Sequence, residues 1–127
     1  MSIAGIGADI VEAARFRKGL VSERLMSRVF TDAERSYCNG QRFPELHLAA
    51  RFAAKESAVK ALLSILPRLL VSQIEVVRSK SGAPSLRLVK GLCSPPPPPL
   101  PDGLVLHVSL SHAGWYGAAT VVAEWVD

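Results

Sequence analysis

At 127 residues the chain is long enough for one core and short of the length at which chains divide, so a single domain over residues 1–127 is expected. Hydrophobic content of 49% with 20% charged residues excludes disorder; no apolar run approaches the ~18 residues of a bilayer span, and the opening residues lack a signal peptide's basic-then-apolar order, so a soluble, cytoplasmic protein without a membrane partner is expected. A net charge of +4 and a pI near 9.4 point to an anionic partner, and nucleic acid, an acidic protein surface and a small polyphosphate all satisfy that field.

Ile3 to Val11 alternates as a strand, one face carrying Ala4, Ile6, Ala8 and Ile10, the other Ile3, Gly5, Gly7, Asp9 and Val11. Two glycines just before Asp9 leave room for a close approach to that carboxylate. The GIG here is not a dinucleotide fingerprint, which needs a third glycine and a helix directly after the strand. Arg15, Arg17 and Lys18 begin a basic helical segment, and Ser22 to Val29 reads as a helix with Arg24 and Arg28 one turn apart. Thr31 with Glu34 forms a capping box opening a helix through about Cys38, stopped by Asn39-Gly40.

Pro44 sits in the first turn of the next helix, expected to run to about Leu66 and end before Pro67. Within it, RFAAKESAVKAL (Arg51 to Leu62) puts Leu48, Phe52, Val59, Leu63 and Leu66 on one arc, with Glu56 inside that arc roughly 40° from Phe52. A glutamate there must be paired, protonated or turned toward a polar cavity, because burying a lone carboxylate costs several kcal/mol. The plainer alternative is a solvated Glu56-to-Lys60 pair worth about 0.2–0.5 kcal/mol.

Ile74 to Arg78 and Leu86 to Lys90 read as a hairpin whose loop contains Gly82-Ala83-Pro84, either an ordinary connection or backbone placed against a phosphate. Five consecutive prolines within Ser94 to Asp102 predict a stiff connector. Val105 to Ser111 alternates with Leu106, Val108 and Leu110 inward, residues 112–117 turn, and Ala118 to Trp125 returns as a strand. His112 at the tip is a loop histidine or an anion ligand. Cys38 and Cys93 stand in no metal-type spacing and read as two reduced thiols.

Asp9 and Glu56 are the carboxylates that packing explains least. If they meet, they make a hard-oxygen pair with open positions, as magnesium takes with substrate phosphates, while Arg51, Lys55, Lys60 and His112 supply positive charge. GIGADIVE, RFAAKESAVKAL, SGAP and SLSH, in that order, resemble the holo-acyl-carrier-protein synthase family of 4'-phosphopantetheinyl transferases over nearly the whole chain.

The resemblance implies an α+β fold, an antiparallel sheet wrapped on a long central helix. It implies transfer of phosphopantetheine from coenzyme A to a serine of an apo acyl carrier protein or carrier domain, with magnesium as cofactor. By that pattern Asp9 and Glu56 hold the metal, Glu56 or a metal-held water takes the serine proton, and Lys60 serves the leaving phosphate. Arg51, Lys55, Lys60, Gly82, Ala83, Pro84, Ser111 and His112 surround coenzyme A, and Arg15, Arg24 and Arg28 face the carrier. A homotrimer with sites between subunits is implied as well, and nucleic acid is not a partner. The competing class is a non-enzymatic basic module for RNA or an acidic protein, in which Glu56 and Lys60 merely pair. Two departures from the family pattern are the LSILPRLL stretch, residues 63–70, where a glycine-containing turn is usual, and the proline run in place of a short alanine-rich helix.

Overall fold

The computed structural model describes residues 1–126. Strand β1 (Ser2–Glu12) pairs antiparallel with β5 (Tyr116–Trp125), which pairs antiparallel with β4 (Leu104–Ala113), giving the order β1-β5-β4. Strands β2 (Ile74–Arg78) and β3 (Pro84–Leu88) form a second, two-stranded antiparallel sheet. Between β1 and β2 run helices α1 (Glu23–Val29), α2 (Asp32–Asn39) and α3 (Pro44–Ala61). The architecture is α+β, with antiparallel sheets packed on α3. No helix among the described residues is long and apolar enough to cross a membrane.

The glycine face of β1 is where the sheet meets α3. A Cβ on Gly5 would stand 1.9 Å from the carbonyl oxygen of Ala61, and one on Gly7 would stand 1.9 Å from that of Ser57. What approaches this face is therefore the helix backbone. The helix answers with small residues: Ala49, Ala50, Ala53, Ala54, Ser57, Ala58 and Ala61 are all buried. Close-packed interiors admit backbone-to-backbone contact of this kind only where neither side carries a large side chain. Ser57 Oγ donates to the carbonyl of Ala119 on β5 at 3.2 Å, pinning the helix to the middle strand.

This geometry corrects the expected helix face. Leu48 is buried as expected, but Phe52, Glu56 and Val59 are half-buried and Leu63 is 58% exposed, so beyond Leu48 the arc of large residues marks the helix flank rather than its most buried side. Alanine, too small to weigh heavily in a hydrophobicity pattern, makes the real seam. The helix also ends sooner than expected. Leu62 caps it with φ −102° and ψ 7°, and residues 62–66 continue as hydrogen-bonded turns in which Ile65 and Leu66 donate to the Leu62 carbonyl. Leu62 and Leu69 are buried and draw the chain back onto the core. Strand β3 starts two residues before the expected Leu86. The last hairpin closes more tightly than expected, through Gly114 and Trp115 alone, with Gly114 at φ +57° as two-residue hairpins favour.

The proline run lies along the protein. Ser94, Pro97 and Leu100 are half-buried while Pro95, Pro96, Pro98 and Pro99 are exposed, the three-residue period of a polyproline helix with one ridge turned inward. Gln73 donates to the Pro95 carbonyl at 2.8 Å, and Leu100 packs with the core around Leu62 and Val121. On the outer face of the three-stranded sheet, Ile6 and Ile10 are 64% and 65% exposed.

Candidate active site

Asp9 and Lys60 are brought together directly: Lys60 Nζ stands 3.6 Å from Asp9 Oδ1 and donates to the neighbouring Ala8 carbonyl at 3.0 Å. The register of strand on helix explains it. Gly5 lies against Ala61 and Gly7 against Ser57; two further strand residues advance about 6.7 Å and four helical residues about 6 Å, so Asp9 falls level with the turn from Ala53 to Ser57. That turn carries Glu56. Side chains on a helix lean toward its N-terminus, which lets Lys60 reach back to the same level. Glu56 is half-buried and makes no hydrogen bond or ion pair among the described residues. The arrangement is therefore two carboxylates and an ammonium on one edge of α3, with Glu56 carrying no protein partner.

A second cluster forms on the opposite edge. A cavity of about 350 Å³ is lined by His47, Ala50 and Arg51 of α3, Arg78 of β2, and Leu110, Ser111 and His112 of β4. Its lining holds two arginines and two histidines and no carboxylate. Arg51 is only 3% exposed, and its Nε is buried without a hydrogen-bond partner. The His47 and His112 rings are 5.6 Å apart. Burial, aided by the positive neighbours His112, Arg51 and Arg78, holds His47 below the usual histidine range. Leaving such a cluster unneutralised is costly, and an anion relieves the cost. Sequence reasoning named Arg51, Ser111 and His112; it missed His47, one turn before Arg51, and Arg78, at the end of a strand.

Lys55 stands elsewhere than expected. Its Nζ is fully buried, 2.6 Å from Glu34 Oε1 and 2.7 Å from the Val29 carbonyl, and lies 5.1 Å from the centre of the Phe30 ring. Glu34 does more than complete the capping box with Thr31: its Oε2 also accepts from the Val76 amide at 2.8 Å. Burial pulls the Lys55 ammonium below its usual value and Glu34 opposes the shift. With both charged ends enclosed, the pair knits α1, α2, α3 and β2 together and leaves Lys55 no access to a phosphate. The signal for Glu34 was present in the sequence only as a helix cap.

Arg15 is exposed with its guanidinium 5.4 Å from the Phe52 ring, one helical turn before Glu56. Arg24 is exposed and Arg28 half-buried on α1. Arg15 and α1 share an apolar cavity of about 290 Å³ lined also by Phe16, Leu25, Met26 and Phe52. Gly82 and Ala83 form the exposed tip of the β2–β3 hairpin, with Gly82 at φ +89°, while Pro84 is half-buried and opens β3 opposite Arg78; the tip makes no hydrogen bond to either cluster. Cys38 is buried and Cys93 exposed, both free; burial pushes the Cys38 thiol up to about 11.

A family model described as the 4'-phosphopantetheinyl transferase superfamily matches residues 5–100. The chain is 39% identical to a holo-[acyl-carrier-protein] synthase of Anaeromyxobacter dehalogenans, covering 96% of each chain. It is 36% identical to the Protochlamydia amoebophila protein of that name, covering 95% of this chain and 96% of the other. Among solved structures it is similar to a Bacillus anthracis holo-(acyl-carrier-protein) synthase in complex with CoA (3',5'-ADP), with a TM-score of 0.74, 31% identity and 98% coverage of both chains. A Helicobacter pylori holo-[acyl-carrier-protein] synthase in complex with coenzyme A is similar at a TM-score of 0.71 and 26% identity, covering 94% of this chain and 99% of that one. On its fold and on these likenesses together, the chain belongs to the holo-[acyl-carrier-protein] synthase family of the 4'-phosphopantetheinyl transferase superfamily.

Proposed function

We propose that this chain transfers the 4'-phosphopantetheine arm of coenzyme A to a serine hydroxyl of an apo acyl carrier protein, or of a carrier domain in a larger synthase, releasing adenosine 3',5'-bisphosphate. The observation that carries the reading is the meeting of Asp9 with Lys60 one turn from an unpartnered Glu56. No three His, Cys, Asp or Glu side chains gather as a metal cage among the described residues, and magnesium does not require one, since it is commonly held by one or two carboxylates with water and substrate phosphates in the remaining positions. Asp9 and Glu56 have the donor chemistry for that role. When bound, magnesium supplies charge neutralisation on the pyrophosphate.

The protein's own groups account for the rest. The serine oxygen forms its bond to the pantetheine-bearing phosphorus as the bridging bond to the adenosine-bearing phosphate breaks. The serine proton passes to Glu56, and Lys60 offsets charge growing on the departing phosphate. Displacement at phosphorus gains chiefly from positioning and electrostatic stabilisation, which is what this set offers. Arg15, Arg24 and Arg28 steer an acidic carrier surface toward the same edge of α3.

The same proposal takes residues 1–127 as one domain, with 94–102 as a proline-rich connector. The site is proposed to be completed between copies in a homotrimer. The reason is geometric: β1 and β4 are the two outer strands of the sheet, so the Asp9–Glu56–Lys60 group and the Arg51–His112 cavity lie on opposite edges of one chain. The exposed Ile6 and Ile10 face supplies apolar contact for a neighbour. Sedimentation of Ile10→Glu tests this, a fall in mass with reduced transfer being the expected result.

Incubation with coenzyme A, magnesium and apo-carriers, read by intact mass, tests the activity. Gain of one phosphopantetheine on a carrier is expected. A folded protein that labels no carrier contradicts the reading.

A further inference from the structure

Tyr37 of α2 is half-buried and lines no part of the 350 Å³ cation cavity, yet both of that cavity's arginines rest on it. The Arg51 guanidinium lies 4.3 Å from the centre of the Tyr37 ring and that of Arg78 lies 5.0 Å from it. Arg78 Nη1 also donates to the Tyr37 hydroxyl at 3.1 Å. The same ring meets that of His47 in a T-shaped contact, at 6.0 Å between centroids. One aromatic ring thus gathers three of the four positively chargeable groups of the cavity.

Two guanidinium groups on one ring repel each other and would separate without a hold. Nearby carboxylates do not supply it. Glu34 is engaged by Lys55 at 2.6 Å and Glu75 by Arg87 at 2.6 Å, so neither is paired with Arg51 or Arg78. The hold comes from the ring face, whose negative quadrupole attracts both cations, and from the hydroxyl. Arg51 is 3% exposed and keeps a buried, unpartnered Nε. The cavity therefore carries two guanidinium groups held on one ring, with no carboxylate in its lining, which is the make-up of an anion seat.

We propose that Tyr37, without touching substrate, is the positioning residue that holds Arg51 and Arg78 together as the seat for the phosphates at the adenosine end of coenzyme A. This rests on the functional reading above. The assignment to the adenosine end follows from the layout: the reacting phosphate is claimed by Asp9, Glu56 and Lys60 on the other edge of α3, leaving the far phosphates for the cavity. Guanidinium groups fix phosphate through paired donors whose value depends on their relative orientation. Loss of the ring therefore weakens binding while both arginines remain in the chain.

The test uses Tyr37→Leu and Tyr37→Phe in the full chain, with calorimetric titration by adenosine 3',5'-bisphosphate and, separately, by 4'-phosphopantetheine, together with steady-state transfer. Tyr37→Leu is expected to weaken binding of the bisphosphate about tenfold and to raise the KM for coenzyme A in parallel. Its kcat and its affinity for 4'-phosphopantetheine should stay within about twofold, and Tyr37→Phe, which keeps the ring, should recover most of the loss. A folded Tyr37→Leu protein with wild-type bisphosphate affinity overturns the inference, as does a loss confined to kcat or to 4'-phosphopantetheine, or an equal loss in Tyr37→Phe. Failure of the functional reading is separately visible, because the unsubstituted protein would then neither bind the bisphosphate nor transfer from coenzyme A.

Discussion

The ammonium of Lys60 bridges from α3 to β1, 3.0 Å from the carbonyl of Ala8 and 3.6 Å from the carboxylate of Asp9. The first is a hydrogen bond and the second a looser charge contact, so the backbone fixes Lys60 while the Asp9 oxygens keep their capacity for another cation. Lys60→Met is expected to leave the fold intact, because the side chain is about half exposed, and to lower kcat about a hundredfold by removing charge stabilisation from the transition state. Circular dichroism together with single-turnover transfer checks both parts.

Gly7 permits the contact on which that bridge depends. Gly7→Ala places a methyl 1.9 Å from the Ser57 carbonyl, and the strand must move off the helix. Destabilisation of about 3 kcal/mol is expected, at the upper end for overpacking. Gly82→Ala, with φ +89° and open space around its Cβ position, should cost only about 1–2 kcal/mol of backbone strain. Urea unfolding of the two variants gives the order directly.

The buried pair of Lys55 and Glu34 makes a different kind of expectation. Removing either partner strands the other charge where both side chains are fully enclosed, at a cost of about 3–5 kcal/mol. Lys55→Met combined with Glu34→Leu removes both charges and should be more stable than either single variant. A double-mutant cycle in urea measures the coupling.

Much of the fold was legible in the sequence because it rests on local rules. Alternation marked β1, β4 and β5, the Thr31–Glu34 box marked the start of α2, and Pro44 marked the start of α3. The face of α3 was misjudged because its buried seam is alanine, whose match is the glycine face of β1; that complementarity between distant segments is invisible to a window along one of them. The end of α3 was misplaced because Leu62 and Leu69 turn the chain inward by tertiary burial. Of the candidate site, Asp9 and Glu56 stood out as carboxylates that packing does not explain, but the contact of Asp9 with Lys60 depends on the register of β1 on α3, which no single segment shows. Lys55 could not be told from a solvent-facing lysine, since its partner Glu34 is 21 residues away and reads locally as a cap.

His47 gives the cation cavity a pH dependence. Burial and its positive neighbours hold it below the usual range in the free protein, and an anion in the cavity raises it again. Between those two values binding takes up a proton, so affinity for adenosine 3',5'-bisphosphate should rise as pH falls through that window, by at most about tenfold per pH unit for one proton. Calorimetry across pH with the unsubstituted protein and His47→Gln checks this. The ratio of the two affinities cancels the ligand's own phosphate titration and should approach a constant above the window.

In the proposed function, Asp9 and Glu56 jointly hold a divalent ion on the coenzyme A pyrophosphate. The most direct test of that joint hold is the rate of phosphopantetheine transfer to an apo-carrier as magnesium is titrated into chelator-treated protein, for the unsubstituted chain, Asp9→Asn and Glu56→Gln. The account predicts no transfer without the ion, a saturable return on adding it, and in each folded variant a rate at least about a hundredfold lower that rises only at much higher magnesium. Full transfer in chelator, or variants that saturate with magnesium like the unsubstituted chain, would contradict it.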